Sequence, residues 1–193
     1  EYIEHLHHNI PIYLLAESMG GAIGIKTSIL YEKINGIILL APLIGLAEES
    51  KPNNFTFKIL LKLAKLFPNI KLHRKYKIQK KNYIKYNDNL KLPDETNINI
   101  IDLNTITQCF ELVKFIKSNN DKFNKPLLII HSNTDNITCI NGSKDFFNKC
   151  SSNDKEIFIL ENSNHILLKP KDKNDFIPNV ILSKITNWIN NRI

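Results

Sequence analysis

Four short apolar runs, each followed by a longer stretch of mixed polarity, constrain this chain more than any other feature. They lie at 11–15 (Pro-Ile-Tyr-Leu-Leu), 36–40 (Gly-Ile-Ile-Leu-Leu), 126–131 (Pro-Leu-Leu-Ile-Ile-His) and 156–160 (Glu-Ile-Phe-Ile-Leu). Unbroken apolar runs of this length are what strands covered on both faces require, because neither side of the pleat meets water. Helical segments are expected at 2–8, 18–32, 141–150 and 174–192. In the last of these Ile177, Val180, Ile181, Ile185, Trp188 and Ile189 recur at helical spacing and should face a sheet. Strands alternating with helices predict an α/β fold with a mostly parallel sheet.

The rhythm breaks once, at 42–123, which is too long for a crossover and carries amphipathic pieces of its own. It is expected to be a helical cap inserted within one domain spanning 1–193, since 193 residues with 42% hydrophobic content suffice for a single core. Within the insert, Phe55, Ile59, Leu60, Leu63, Leu66 and Phe67 share one helical face, opposite Lys58, Lys62 and Lys65. That pattern fits an interfacial helix and a core-packed one equally well.

The net charge of +7 decides little, because heavy use of Lys, Asn and Ile together also fits a coding bias. The basic stretch 71–91 interleaves Lys71, Arg74, Lys75, Lys77, Lys80, Lys81 and Lys85 with Tyr76, Tyr83 and Tyr86. No nucleic-acid motif frames it and an anionic membrane surface suits it better, so no nucleic-acid partner is expected. Cys109, Cys139 and Cys150 form neither a disulfide framework nor a zinc pattern, which fits a reducing compartment and a cytoplasmic or peripheral-membrane location. No signal peptide and no apolar run of about 18 residues is visible, so the chain is soluble or its targeting segment lies upstream. His5, His7 and His8 are spaced so that one helical face cannot gather all three, and no metal or cofactor is expected.

Chemistry concentrates at Ala16-Glu17-Ser18-Met19-Gly20-Gly21, which follows the first strand and opens a helix. A serine on so sharp a strand-to-helix turn needs small neighbours two positions away, and Ala16 and Gly20 meet that demand. The Met19 backbone N–H then stands at the helix N-terminus, where an oxyanion could be received. Asp135 lies four residues past the third run and His165 five past the fourth, giving the chain order Ser, acid, His of a nucleophile with its base. Taken singly, Asp135 reads better as a turn aspartate and His165 as a capping or surface histidine; taken together they read better as acid and base. His131 is expected in the core or behind the site, and Asp145 and Asp154 are weaker candidates for the acid because they fall within or after a helix. Sequons at Asn54, Asn136 and Asn141 are ascribed to chance, the last two because a glycan there would obstruct Asp135.

Leu-Leu-Ala-Glu-Ser-Met-Gly-Gly-Ala at 14–22, Ile-Leu-Leu-Ala-Pro-Leu at 38–43, Pro-Leu-Leu-Ile-Ile-His-Ser-Asn-Thr-Asp at 126–135 and Asn-Ser-Asn-His at 162–165 resemble one family. It is that of the monoacylglycerol lipase and lysophospholipase-like α/β-hydrolases of the serine aminopeptidase S33 type. The resemblance implies the C-terminal part of an α/β-hydrolase, from its fifth to its eighth strand. It implies a triad of Ser18, Asp135 and His165, and a cap over an acyl tunnel that touches membranes. The family usually has glycine where Ala16 stands. Its first four strands and its second oxyanion donor would precede residue 1, which leaves the oxyanion hole half built. The expected activity is hydrolysis of a single-chain lipid ester, a monoacylglycerol or lysophospholipid. The alternative is a noncatalytic binding module of the same fold.

Overall fold

All four apolar runs enter one parallel sheet, in strands β1 (Ile12–Glu17), β2 (Ile34–Leu40), β5 (Leu127–Ser132) and β6 (Lys155–Leu160), ordered β1-β2-β5-β6. The computed structural model describes residues 10–50, 53–67, 69–73, 100–169 and 175–193; the expected helix at 2–8 lies outside them. Two strands run past their apolar residues at the carboxyl end, because ladder pairing is blind to side-chain polarity: Ala16 pairs with Leu39, Glu17 with Leu40, and Ser132 with Leu160.

The helices are α1 (Met19–Leu30), α2 (Asn54–Leu66), α3 (Leu103–Ser118), α4 (Ile140–Lys149) and α5 (Ile177–Asn190). Strand side chains alternate between two cores, as a period of two demands. Ile37, Leu39, Leu127 and Ile129 pack with Ala22 and Ile25 of α1, Ile116 of α3 and Phe146 of α4. Ile38, Leu40, Leu128 and Ile130 pack on the opposite face with Ile181, Ile185 and Trp188 of α5. Each such side chain contributes about 1.5–3 kcal/mol on burial. Val180, expected on the buried face of α5, instead points outward, because the contact stripe runs through Ile181, Ile185 and Trp188. Trp188 also meets Tyr13 edge-on at 5.7 Å and lies beneath the Arg192 guanidinium at 4.0 Å. In the described sheet β1 is an end strand, and Leu15 on it and Ile23 on α1 are about half exposed.

The chain divides into two compact units, one of Glu1–Lys51 with Glu111–Ile193 and the other of Pro52–Phe110. The second unit is narrower than the expected insert 42–123, because Ile44, Ile116 and Phe123 are built into the first unit's core. The second unit contains α2, an antiparallel pair of β3 (Lys71–His73) and β4 (Ile100–Asp102), and the start of α3. Asp102 caps α3 by accepting the Thr105 N–H at 2.6 Å, and that bond holds its carboxyl below the usual range. On α2, Ala64 is buried whereas Ile59, Leu63 and Leu66, with Phe67 just beyond, are exposed. Of the basic stretch 71–91, residues 74–91 lie outside the described residues. Among the described residues no helix is long and apolar enough to cross a membrane.

Candidate active site

Parallel strands end at the same edge of the sheet, so the turns after β1, β5 and β6 converge there without any long-range design beyond the register itself. Ser18 sits in the first of these turns with φ 53 and ψ −119, a left-handed backbone that a non-glycine residue adopts at a cost of roughly 1–3 kcal/mol. Three backbone hydrogen bonds hold it there. Its N–H donates to Leu40 O at 2.9 Å, and its carbonyl accepts from Gly21 N at 3.0 Å and Leu43 N at 2.8 Å.

Close packing permits this turn, but the residues responsible are not all the expected ones. A Cβ on Gly21 would stand 2.7 Å from Pro42 Cβ, and one on Gly24 would stand 2.8 Å from Ile37 Cδ1 and 3.3 Å from Ala16 Cβ. At Gly20 a Cβ would meet nothing within 4 Å. The steric demand assigned to Gly20 therefore falls on Gly21 and Gly24, because α1 leaves the turn with those two positions facing β2 and the segment after it. Ser18 makes no side-chain capping bond to α1. Its hydroxyl instead lies 2.9 Å from His165 Nε2.

His165 Nδ1 in turn lies 2.8 Å from Asp135 Oδ2. The three residues singled out from sequence thus form one hydrogen-bonded row, with the Asp135 side chain fully buried and that of His165 15% exposed. Asp135 turns back on its own loop: Oδ1 accepts Ile137 N at 2.8 Å and Thr138 N at 3.0 Å, and Oδ2 accepts the Thr138 hydroxyl at 2.8 Å. Burial works to raise the Asp135 carboxyl. Hydrogen bonds from His131, His165 and the Ile137 and Thr138 amides outweigh it and hold the group well below the ordinary carboxylate range. Asp135 is therefore ionised at neutral pH, as a group must be that fixes an imidazole tautomer.

Between the acid loop and the histidine loop runs a lattice of polar bonds that no motif announced. Ser132 Oγ donates to Ser163 O at 2.8 Å and accepts Ser163 N at 3.1 Å, while Thr134 Oγ1 donates to Ser163 O at 3.0 Å. Asn133 Oδ1 accepts Asn162 N at 3.1 Å, which supports the left-handed φ of 55 at Asn162. On the far side of His165, Glu17 Oε1 accepts Leu167 N at 3.2 Å, tying the histidine loop to the turn before Ser18. A small hydroxyl at a strand end carries no sequence signal; its partner lies 31 residues away.

The weaker candidates fall elsewhere. Asp154 pairs with the Arg192 guanidinium, and Asp145 lines an open cavity of about 350 Å³ with Lys117, Asn120 and Lys149. Among the described residues no cluster of three or more His, Cys, Asp or Glu side chains is placed to hold a metal ion; His5, His7 and His8 lie outside them.

The model of the family described as serine aminopeptidase, S33, matches residues 1–172. The chain belongs to that family. As a member of S33 it has an α/β-hydrolase sheet and helices, and relatives agree with that placement. It is similar to a caffeoylshikimate esterase of Arabidopsis thaliana, 26% identical over 97% of this chain, and to a putative monoglyceride lipase of Schizosaccharomyces pombe, 28% identical over 76% of it. The S33 chain spans 57% and 39% of the lengths of those two relatives. In fold it is similar to the monoacylglycerol lipase of Paleococcus ferrophilus, with a TM-score of 0.75 at 18% identity, covering 97% of this chain and 72% of that one. A soluble variant of the Saccharomyces cerevisiae monoglyceride lipase gives 0.74 at 22% identity, covering 95% and 62%.

Proposed function

We propose that this chain is the triad-bearing part of a serine hydrolase that cleaves carboxylic acyl esters, with Ser18 as nucleophile, His165 as general base and acid, and Asp135 as the group that orients and compensates the imidazole. The observation that carries this reading is the unbroken row from Ser18 Oγ through His165 to a buried, ionised Asp135. As Ser18 Oγ bonds to the carbonyl carbon, its proton passes to His165 Nε2; when the ester C–O bond breaks, that proton goes to the leaving alcohol. Water then repeats the sequence on the acyl-enzyme, releasing the acid and restoring the Ser18 hydroxyl. The Met19 backbone N–H, at the start of α1, is the oxyanion donor we assign.

For the substrate we propose single-chain lipid esters, monoacylglycerols or lysophospholipids. Two features support this. The names of both curated relatives denote cleavage of an acyl ester, one of them a monoglyceride. In the second unit the exposed apolar residues Ile59, Leu63, Leu66 and Phe67 share α2 and its end with exposed Lys58 and Lys62, a composition that suits peripheral contact with an anionic lipid surface. Peripheral-membrane or cytoplasmic placement goes with this reading.

The test is labelling of the purified chain with a fluorophosphonate, with Ser18→Ala alongside and the adduct located by peptide mass spectrometry. An adduct on Ser18, absent from the variant, is expected, followed by faster release of fatty acid from long-chain monoacylglycerols than from short-chain esters. A folded chain that takes no label, here and when joined to the remaining length of its relatives, overturns the hydrolase reading in favour of a noncatalytic binding module. Preference for short-chain esters overturns only the lipid assignment.

A further inference from the structure

Asp135 receives not one imidazole but two. His131 Nε2 lies 3.2 Å from Asp135 Oδ2, the same oxygen that His165 Nδ1 approaches at 2.8 Å, and the His131 side chain is completely buried. Its second nitrogen, Nδ1, lies 2.8 Å from the hydroxyl of Ser143, a buried residue of α4. A row of hydrogen bonds thus runs from α4 through the acid to the nucleophile: Ser143, His131, Asp135, His165, Ser18.

Proton accounting assigns the direction of each link. A buried ring nitrogen facing a carboxylate oxygen must carry the proton, since two acceptors face to face would repel at high cost in a dry interior. In the neutral ring His131 therefore donates through Nε2 and accepts through Nδ1, where the Ser143 O–H is the donor within reach. Thr138 Oγ1, also near Asp135 Oδ2, has an alternative acceptor in Ala41 O at 3.1 Å. The other neighbour of His131 Nε2 is Thr138 Oγ1 at 3.4 Å, so Asp135 Oδ2 at 3.2 Å is its nearer acceptor and the charged one.

We propose that His131, with its tautomer set by Ser143, is a positioning residue for Asp135: it fixes the carboxylate rotamer toward His165 and holds back part of the charge that Oδ2 offers to that imidazole. This rests on the hydrolase reading above. Among the described residues, the ionisable group bonded to His131 is Asp135, with His165 on the same oxygen; Ser143 and Thr138, the partners from α4 and the acid loop, are neutral.

The test uses the full chain in two independent arms. In the first, nitrogen-15 NMR of labelled histidines reads the tautomer of His131: the Nε2–H form is expected in the wild type and a mixture in Ser143→Ala. In the second, the rate of Ser18 labelling by a fluorophosphonate is followed against pH. His131→Leu should label at least about tenfold more slowly, within the scale on which a misplaced catalytic group loses rate. Its acid limb should lie at higher pH, because an Oδ2 relieved of one donor favours the imidazolium of His165. His131→Gln, which places an amide N–H where Nε2 stands, should restore both rate and limb, whereas a merely structural role would lower the stability of the leucine variant and leave the limb in place. The Nδ1–H tautomer in the wild type, or an unmoved limb in His131→Leu, overturns the proposal; if the leucine variant does not fold, an unchanged tautomer and pH profile in Ser143→Ala do so. A wild type that takes no label, alone and when joined to the remaining length of its relatives, defeats the hydrolase reading instead, and the tautomer arm still decides whether His131 donates to Asp135.

Discussion

Ser18 is held by close packing and backbone hydrogen bonds, whereas Asp135 and His165 are held by bonds from side chains. At the serine turn the strained φ is maintained because Gly21 and Gly24 let α1 lie against Pro42 and Ile37, and because Leu40 O of β2 and the Gly21 and Leu43 amides supply backbone partners. At the other two turns the backbone is laced by the side chains of Ser132, Asn133, Thr134 and Thr138. The difference matters because steric fit fails abruptly, when one methyl group is added, while a lattice of several bonds of about 0.5–1.5 kcal/mol each fails by degrees.

The largest effect should come from the link shared by both halves. Asp135→Asn leaves the shape but offers His165 the wrong tautomer, so Ser18 labelling should slow by roughly 10⁴-fold at neutral pH; a loss under tenfold would show that the row of bonds is dispensable. The same variant carries a signature in stability. The Asp135 carboxyl is depressed in the folded state below its ordinary value of 3.8, so its contribution is fully present above that value and is lost as pH falls below it. Denaturant titrations should give a gap between wild type and Asp135→Asn that narrows as pH falls below 3.8; a gap that failed to narrow there would contradict the sign.

Next in size is Gly21→Val, which drives side-chain atoms into Pro42 and should cost about 1–3 kcal/mol while displacing Ser18, read as lower thermal stability together with lost labelling. Ser132→Ala cuts the two bonds it makes to Ser163 and should cost about 1–3 kcal/mol. It should slow labelling only in part, since Thr134 and Asn133 still bridge the loops; complete loss would mean the lattice is as brittle as the serine turn. Smallest is Gly20→Ala, expected within about 0.5 kcal/mol of wild type because its Cβ enters open space. A Gly20→Ala variant as damaged as Gly21→Val would return the steric role to the position first expected.

Legibility followed the same division. The strands were readable because double-sided burial writes itself into consecutive residues such as Ile37, Ile38, Leu39 and Leu40, and α5 because Ile181, Ile185 and Trp188 repeat at helical spacing. The serine turn was readable because its neighbours must be small, although spacing alone chose Gly20 where the packing uses Gly21 and Gly24. Asp135 and His165 could be singled out by their order after successive strands, since parallel strands deliver their turns to one edge. His131, Thr138, Ser132 and Ser143 could not, because their roles depend on partners that only folding brings near.

By itself, then, the sequence determined the parallel α/β sheet, the family and the turn that carries Ser18, because local patterns of burial and size suffice for each. Only the tertiary structure decided which glycines admit α1 against β2 and its following segment, where the second compact unit begins and ends, and how a buried carboxylate is shared between His165 and His131. Those outcomes depend on distances between residues far apart in the chain, and spacing along a sequence carries no record of them.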